Sequence, residues 1–172
     1  MPIVKIESIR PAPWKATYIF KPDLKMLEDS IAADGMQYPI LVRQETSEII
    51  DGFARWVAKQ NLGHKTVEIE FVDKSEVDSM VMHVQINRGR GQVVAKDLSN
   101  LIQRCLRSKV YEYDELRKKL NMTIDEYDIL ADGALVKRRK LKEHKYSNAW
   151  VPVETSGYAE KPDIERPKTP DR

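Results

Sequence analysis

Apolar and polar residues alternate in several short stretches of the first half of the chain. Such alternation is typical of strands that bury one face. Between these stretches, apolar residues at helical spacing predict one helix opened by Pro22 and another directly after Gly52. The predicted strands are Pro2–Ile9, Ile40–Gln44, Ile49–Asp51 and Thr66–Asp73. The order strand, helix, strand, strand, helix, strand predicts a mixed sheet covered by helices.

Only helical spacing follows Asp73. Residues 75–86 predict a helix that the glycines of the NRGRGQ segment break, and residues 97–107 predict a second one. Two short helices then flank the turn at Asn121. Their predicted inner contacts are Leu116, Leu120, Tyr127 and Leu130. The predicted fold class is therefore α+β, a mixed sheet with helices followed by a small helical extension.

Composition suggests three segments. Residues 1–92 are predicted to form an N-terminal domain, and residues 93–150 a helical extension that resembles a helix-turn-helix. Residues 151–172 are rich in prolines and charges that cannot support a core, which predicts a disordered tail. The 172 residues fit one compact domain with an appendage better than two full domains.

Charge and cysteine content limit the function classes. The formal net charge is +2, which argues against a protein that coats nucleic acid, so any basic site is local. Cys105 is the only cysteine, which excludes an internal disulfide framework and favours a reducing, cytoplasmic compartment. No apolar run is long enough for a membrane span. We therefore expect no membrane partner.

The segment IIDGFAR places an arginine in the first turn of a predicted helix. Gly52 permits a sharp turn from strand to helix, and unpaired backbone N–H groups at the helix N-terminus favour an anion. The guanidinium of Arg55 would add a bidentate donor at the same place. The alternative is a surface arginine that only pairs with Asp51.

Two further glycine-containing segments are candidates for the same kind of site. Asn87, Arg88 and Arg90 lie near glycines, where an amide and two guanidinium groups can face phosphate oxygens. A solvated loop would carry the same residues. Gly35 would let the backbone approach a ligand closely, although an ordinary helix C-cap also explains it.

Three stretches, in order and rough spacing, resemble the motifs of the ParB N-terminal domain and its sulfiredoxin relatives. They are GMQYPILVRQ from Gly35, DGFARWVAKQNLG from Asp51 and VQINRGRGQVVAKDL from Val84. The resemblance covers residues 1–108. It implies a nucleotide site for CTP or ATP, with or without magnesium, and association with DNA. In that family the nucleotide-bound form often closes two chains on each other, which allows a homodimer here.

This sequence departs from both branches of the family pattern. Phe53 and Ala54 replace the middle Glu-Arg pair of the ParB motif Gly-Glu-Arg-Arg, and Val57 replaces a later arginine, so fewer basic residues are left to bind phosphates. Sulfiredoxin chemistry needs a nucleophilic cysteine where this chain has Ala54. Cys105 lies in a later apolar helical pattern and is predicted to be a buried packing residue. Sulfinic-acid reduction is therefore excluded.

Enzymatic alternatives depend on Asp51. A small-molecule kinase or nucleotide hydrolase would need a carboxylate base near the transferred phosphate, and Asp51 is the candidate, although a helix-capping aspartate also fits. A ParB-like nuclease would need converging carboxylates on a metal ion, and no spaced acidic cluster provides them. The histidines His64, His83 and His144 are scattered, so no zinc-type site is predicted.

The helical half carries the candidate contacts to DNA. The second short helix of the predicted helix-turn-helix is acidic, and carboxylates repel phosphates, so a plain helical hairpin is an equal interpretation. A basic run follows it and is the better candidate for the DNA backbone, with a solvated helix face as the alternative. Its candidate residues are Lys137, Arg138, Arg139, Lys140 and Lys142.

The preferred interpretation is a ParB-like nucleotide- or phosphate-binding module associated with DNA, acting as a binding or regulatory protein. The alternative is a kinase, hydrolase or nuclease that uses the same pocket. A scaffold that has lost its ligand would also fit the thinned arginine motif.

Overall fold

The computed structural model describes residues 1–90 and 93–132. These residues form five strands and six α-helices; two of the helices lie between strands, and the other four follow the last strand. The strands are β1 (Ile3–Lys5), β2 (Arg10–Pro11), β3 (Ile40–Arg43), β4 (Glu48–Asp51) and β5 (Thr66–Val72). The helices are α1 (Lys21–Asp34), α2 (Phe53–Asn61), α3 (Glu76–Gly89), α4 (Ala95–Ser108), α5 (Tyr113–Lys119) and α6 (Ile124–Ala131).

The strands form one mixed sheet in the order β1-β5-β3-β4-β2. The pairs β1–β5 and β3–β4 are antiparallel, whereas β3–β5 and β2–β4 are parallel. The predicted α+β class with a mixed sheet and covering helices is confirmed. The carboxyl end of β4 leads directly into α2, which brings Asp51 and the start of that helix to one edge of the sheet.

The single strand predicted for residues 2–9 is wrong. The chain instead forms β1, a 3₁₀ turn over Ile6–Ser8, and the short strand β2. The reason is topological, because β1 and β2 lie on opposite edges of the sheet and the chain must cross between them. Ile6 and Ile9 are both buried, so apolar spacing at this crossing reflects a turn rather than a straight strand.

The glycines of the NRGRGQ segment end the helix as predicted, but the end lies three residues beyond residue 86. Helix α3 continues through Asn87 and Arg88 and ends at Gly89. The side-chain amide of Asn87 donates to the carbonyl of His83, one turn earlier, at 2.8 Å. Asn87 and Arg88 are therefore helical residues with fixed directions.

Two apolar clusters fill the two sides of the sheet. One joins inward residues of β3, β4 and β5 with Met36, Phe53 and Trp56 on the α1 and α2 side. The other contains Ile50 from β4 together with apolar residues of α3 to α6. The predicted inner contacts of the short helices, Leu116, Leu120, Tyr127 and Leu130, all belong to this second cluster. The helical half and the sheet thus share one core.

The second cluster crosses the predicted domain boundary between residues 92 and 93. That boundary stays a prediction, as does the end of the helical extension at residue 150. The predicted disordered tail and the basic run from Lys137 lie outside the described residues. In the part of the chain that the structure describes, no helix is long and apolar enough to cross a membrane.

Gly52 makes the turn between β4 and α2. Its φ is 94°, in the left-handed region that disfavours residues with a Cβ atom. A Cβ atom added there would lie 2.8 Å from Nη2 and 3.0 Å from Nε of Arg55. The absence of a side chain at Gly52 therefore lets the Arg55 guanidinium fold back over the turn.

Shared packing predicts that α4 unfolds together with the sheet. Ile102 is 0% exposed and lies in the cluster that joins them. We expect Ile102→Ala to lower the free energy of unfolding by about 2–5 kcal/mol and to leave one cooperative transition in urea. Met26→Ala, at a side chain that is 71% exposed, is the control and should change it by less than about 0.5 kcal/mol. Two separated transitions would contradict the shared core.

The turn geometry predicts a specific cost at Gly52. Gly52→Ala adds a close contact with Arg55 to the strain of a positive φ, so we expect a loss of about 1–3 kcal/mol in unfolding free energy. Gly63→Ala is the matched control, because Gly63 follows the C-terminus of α2 with a φ of 77° and has open space where a Cβ atom would lie. It should cost about 1 kcal/mol. Equal costs in denaturant titrations would mean that the Arg55 contact has no energetic weight.

Candidate functional site

A pocket of about 420 Å³ opens at the junction of β4, α2, α1 and the end of α3. Its polar side is formed by residues that the sequence singled out, namely Asp51, Gly52, Arg55, Asn87 and Arg90. Three separate elements therefore bring these predicted residues together. The volume lies within the roughly 300–1,000 Å³ that is typical of small-molecule sites.

Asp51 is the centre of this group. Its Oδ2 accepts hydrogen bonds from Nη2 of Arg55 at 3.1 Å and from Nη1 of Arg90 at 2.9 Å. Its Oδ1 accepts a longer bond, 3.4 Å, from the amide of Asn87. The alternative interpretation of Arg55, a pairing with Asp51, thus describes a real contact, yet both side chains also line the pocket.

Burial and nearby charges shift the pKa of Asp51 in opposite directions. Burial raises the pKa of the Asp51 carboxyl, but the hydrogen bond and charge of Arg90, aided by Arg55 and the backbone of Gly52, outweigh it and hold this pKa below its ordinary value. The carboxylate is therefore ionised at neutral pH. A carboxylate held this firmly by donors is a weak proton acceptor.

The N-terminus of α2 faces the same pocket. Its N-cap residue is Gly52, which supplies no side-chain cap, so the first N–H groups of the helix receive no such bond. Phe53, Ala54 and Arg55, the first three residues of α2, all line the pocket. Arg55 also keeps a buried Nε that has no hydrogen-bond partner. These features favour an acceptor-rich, anionic ligand.

The His83 side chain links the elements behind the pocket through two hydrogen bonds. The backbone N–H of Ala16 donates to its Nε2 at 3.1 Å, so its Nδ1 carries the proton and donates to the carbonyl of Ile50 at 2.7 Å. Burial lowers the pKa of His83, despite the nearby Ile50 carbonyl and Asp51. A neutral His83 therefore links the segment before α1, strand β4 and helix α3 directly behind the pocket.

Two of the predicted site residues lie elsewhere. Gly35 caps the C-terminus of α1, with its N–H bound to the carbonyl of Ile31 at 3.0 Å, at the opposite end of the helix from the pocket. Arg88 forms a bidentate pair with Glu126 of α6, at 2.6 and 3.2 Å. The end of α3 thus sends Asn87 and Arg90 towards the pocket and Arg88 towards the helical half.

The opposite wall of the pocket was not anticipated from the sequence. It consists of Thr17, Tyr18, Ile19, Asp23, Met26 and Leu27, from the segment before α1 and its first turns. Lys15 supports this wall, because its ammonium lies 4.1 Å from the centre of the Phe53 ring and donates to the carbonyl of Thr17. No local motif marks these residues, since only the packing of α1 beside α2 places them there.

Other reactive groups are remote from the pocket. Cys105 is fully buried and its thiol contacts the sulfur of Met80 at 3.8 Å, which confirms the predicted packing role. Burial raises the pKa of this thiol to about 12. Within residues 1–90 and 93–132, no three His, Cys, Asp or Glu side chains are arranged to hold a metal ion.

Two solved structures are similar to this chain, and the first of them supports the fold. The pNOB8-like ParB N-domain matches with a TM-score of 0.54 and 16% identity, over 84% of this chain and 69% of that chain. The C-terminally truncated chromosome-partitioning protein ParB from Caulobacter crescentus, complexed with CTP-γ-S, gives a TM-score of 0.47 and 20% identity, over 82% of this chain and 89% of that chain.

Comparison of sequences identifies the family. The transcriptional regulator NovG of Streptomyces niveus is 36% identical over 59 residues, which is 34% of this chain but only 19% of the regulator's length. The family model of the ParB N-terminal domain matches residues 2–88, about half of the chain. The matched region contains the sheet, α1, α2 and almost all of α3. The chain belongs to the ParB N-terminal domain family.

Proposed function

We propose that this chain is a ParB-like binding module that holds the phosphate groups of a nucleotide in the pocket at the N-terminus of α2. The observation that carries the proposal is the convergence of Arg55, Arg90 and Asn87 on the mouth of a helix whose N-cap has no side chain. Guanidinium groups and helix N–H groups are both strong phosphate ligands. In this arrangement Arg88 is not a phosphate ligand.

The rest of the pocket suits the remainder of a nucleotide. The wall from α1 and the segment before it is largely apolar or aromatic, with Tyr18, Ile19, Met26 and Leu27. Such a surface can pack against a base and a sugar. The sequence resemblance implies CTP or ATP as the nucleotide.

The charges of the pocket favour a nucleotide that arrives with a cation. Two arginines, Arg55 and Arg90, are balanced by two aspartates, Asp51 and Asp23, among the lining residues. A triphosphate would therefore meet little net positive charge. Magnesium bound mainly by phosphates and one or two carboxylates would offset the remaining repulsion.

Binding rather than catalysis is the function that the geometry favours. A general base needs a free oxygen and a pKa near the working pH, whereas both oxygens of Asp51 accept hydrogen bonds and its pKa is lowered. The kinase, hydrolase and nuclease alternatives would then depend on Asp23, the other carboxylate that lines the pocket. Release of phosphate from labelled ATP or CTP, or its transfer to free serine, would support them.

We further propose that the helical half associates with DNA. Helix α6 contains no lysine or arginine and carries Asp125, Glu126 and Asp128, so it offers no cationic surface to DNA. The basic run that begins at Lys137 then supplies the backbone contacts. A nucleotide site on the sheet and DNA contacts beyond α6 would make the chain a regulatory or partitioning module.

Nucleotide binding is tested by thermal and chemical unfolding with CTP, ATP and GTP, each with magnesium. A nucleotide at a hundredfold its dissociation constant should add about 2.7 kcal/mol to the free energy of unfolding. Arg55→Ala should abolish that increment, because it removes the guanidinium at the N-terminus of α2. Arg10→Ala removes an exposed guanidinium paired with Glu48 and should keep it.

Each variant is compared with itself in the absence of nucleotide, so that a change in intrinsic stability does not mimic a loss of binding. An increment in Arg55→Ala equal to that of the unchanged chain would refute the phosphate role of Arg55. No increment with any nucleotide in the unchanged chain would refute the proposed function.

DNA association is tested by titration of a labelled duplex at several salt concentrations. Neutralising the four residues from Lys137 to Lys140 should weaken binding and reduce the slope of log affinity against log salt by roughly 3–4, about 0.9 per lost phosphate contact. The control variant neutralises four exposed basic residues between residues 1 and 90. They are Lys5, Arg10, Lys65 and Lys74. Equal slopes for the two variants would exclude the basic run as the DNA contact.

A further inference from the structure

We propose that Asp51 is an internal counter-anion that makes the pocket selective for polyphosphate over single phosphate groups. This inference rests on the proposed function, since it concerns the same pocket. It assigns to Asp51 a role in choosing the ligand rather than in proton transfer. It also names the ligand feature that matters, which is the number of linked phosphates.

The position of the Asp51 carboxylate supports this role. A single oxygen, Oδ2, lies between the two guanidinium groups, 3.1 Å from Arg55 and 2.9 Å from Arg90. A phosphate oxygen that bridged the same two arginines would occupy the same place. Asp51 therefore already holds the site where one isolated phosphate would gain most.

The burial of these groups strengthens the competition. The side chains of Asp51 and Arg55 are 8% and 16% exposed, whereas Arg90 is 52% exposed. Charge pairs that are shielded from water interact more strongly than exposed ones. A single phosphate would have to displace this inner pair, whereas a chain of phosphates can reach the outer N–H groups of Arg90 and the start of α2 together.

The donors that Asp51 leaves unused point to the same ligand. The Nε of Arg55 is buried without a hydrogen-bond partner, and Gly52 supplies no capping side chain to α2. A buried donor without a partner costs free energy that a ligand oxygen would recover. These donors and Arg90 lie on separate elements, so a ligand with several linked phosphates can satisfy them at once.

The inference is tested by calorimetric titration of the full chain with inorganic phosphate, pyrophosphate and tripolyphosphate in a buffer without phosphate. The unchanged chain should bind tripolyphosphate at least about tenfold more tightly than phosphate, the equivalent of one charged hydrogen bond. Asp51→Asn should bind phosphate about tenfold more tightly than the unchanged chain and should show a smaller preference. Asp29→Asn removes an exposed carboxylate paired with Lys25 and should change neither value.

Several outcomes separate this inference from the proposed function. Polyphosphate or nucleotide binding in the unchanged chain, with an unaltered or weaker phosphate affinity in Asp51→Asn, would overturn the inference alone. No binding to the unchanged chain or to the variant would overturn both. Phosphate binding by the variant alone would also overturn both, because the native pocket would then hold no polyphosphate to select.

A second variant tests the inference if Asp51→Asn does not fold. Asp51→Ser removes the charge but keeps one acceptor for Arg55, and circular dichroism with thermal unfolding checks both proteins. We expect Asp51→Ser also to bind phosphate about tenfold more tightly than the unchanged chain. If neither variant folds, the unchanged chain decides, because equal affinities for phosphate and tripolyphosphate would overturn the inference.

Discussion

The ion-paired carboxylate of Asp51 is the interaction on which the candidate site depends. It stands at the end of β4 and joins that strand to α2 through Arg55 and to the end of α3 through Arg90 and Asn87. A buried charge is tolerated only when donors surround it. The sheet edge, the helix mouth and the α3 terminus are therefore held in one arrangement by a single side chain.

Local pattern predicted most of the fold because most elements follow simple apolar spacing. Helix α1 begins next to Pro22 and ends before Gly35, and strands β3, β4 and β5 lie where alternation placed them. The errors arose where tertiary structure overrode local pattern. Residues 2–9 alternate like a strand but must cross from one sheet edge to the other. Helix α3 runs three residues past its apolar stretch to Gly89, and the Asn87 amide in this extension donates to the carbonyl of His83.

The polar half of the pocket could be foreseen and its apolar half could not. Gly52 and Arg55 form a local motif, and Asn87 and Arg90 stand out as polar residues among glycines. Once α3 is known to be helical, the 100° step between successive residues separates Arg88 from Arg90. Met26 and Tyr18 look like ordinary residues of an amphipathic helix and a loop. Only the docking of α1 beside α2 reveals them as walls of the pocket.

The seclusion of Cys105 has a practical consequence for spectroscopy on this protein. Its side chain is fully buried against Met80, and its thiol stays protonated through the neutral range because burial raises its pKa to about 12. Maleimide and iodoacetamide reagents need an accessible thiolate. A fluorophore or spin label can therefore be attached to a cysteine introduced on α1 or α6 of the folded chain, without first removing the native one.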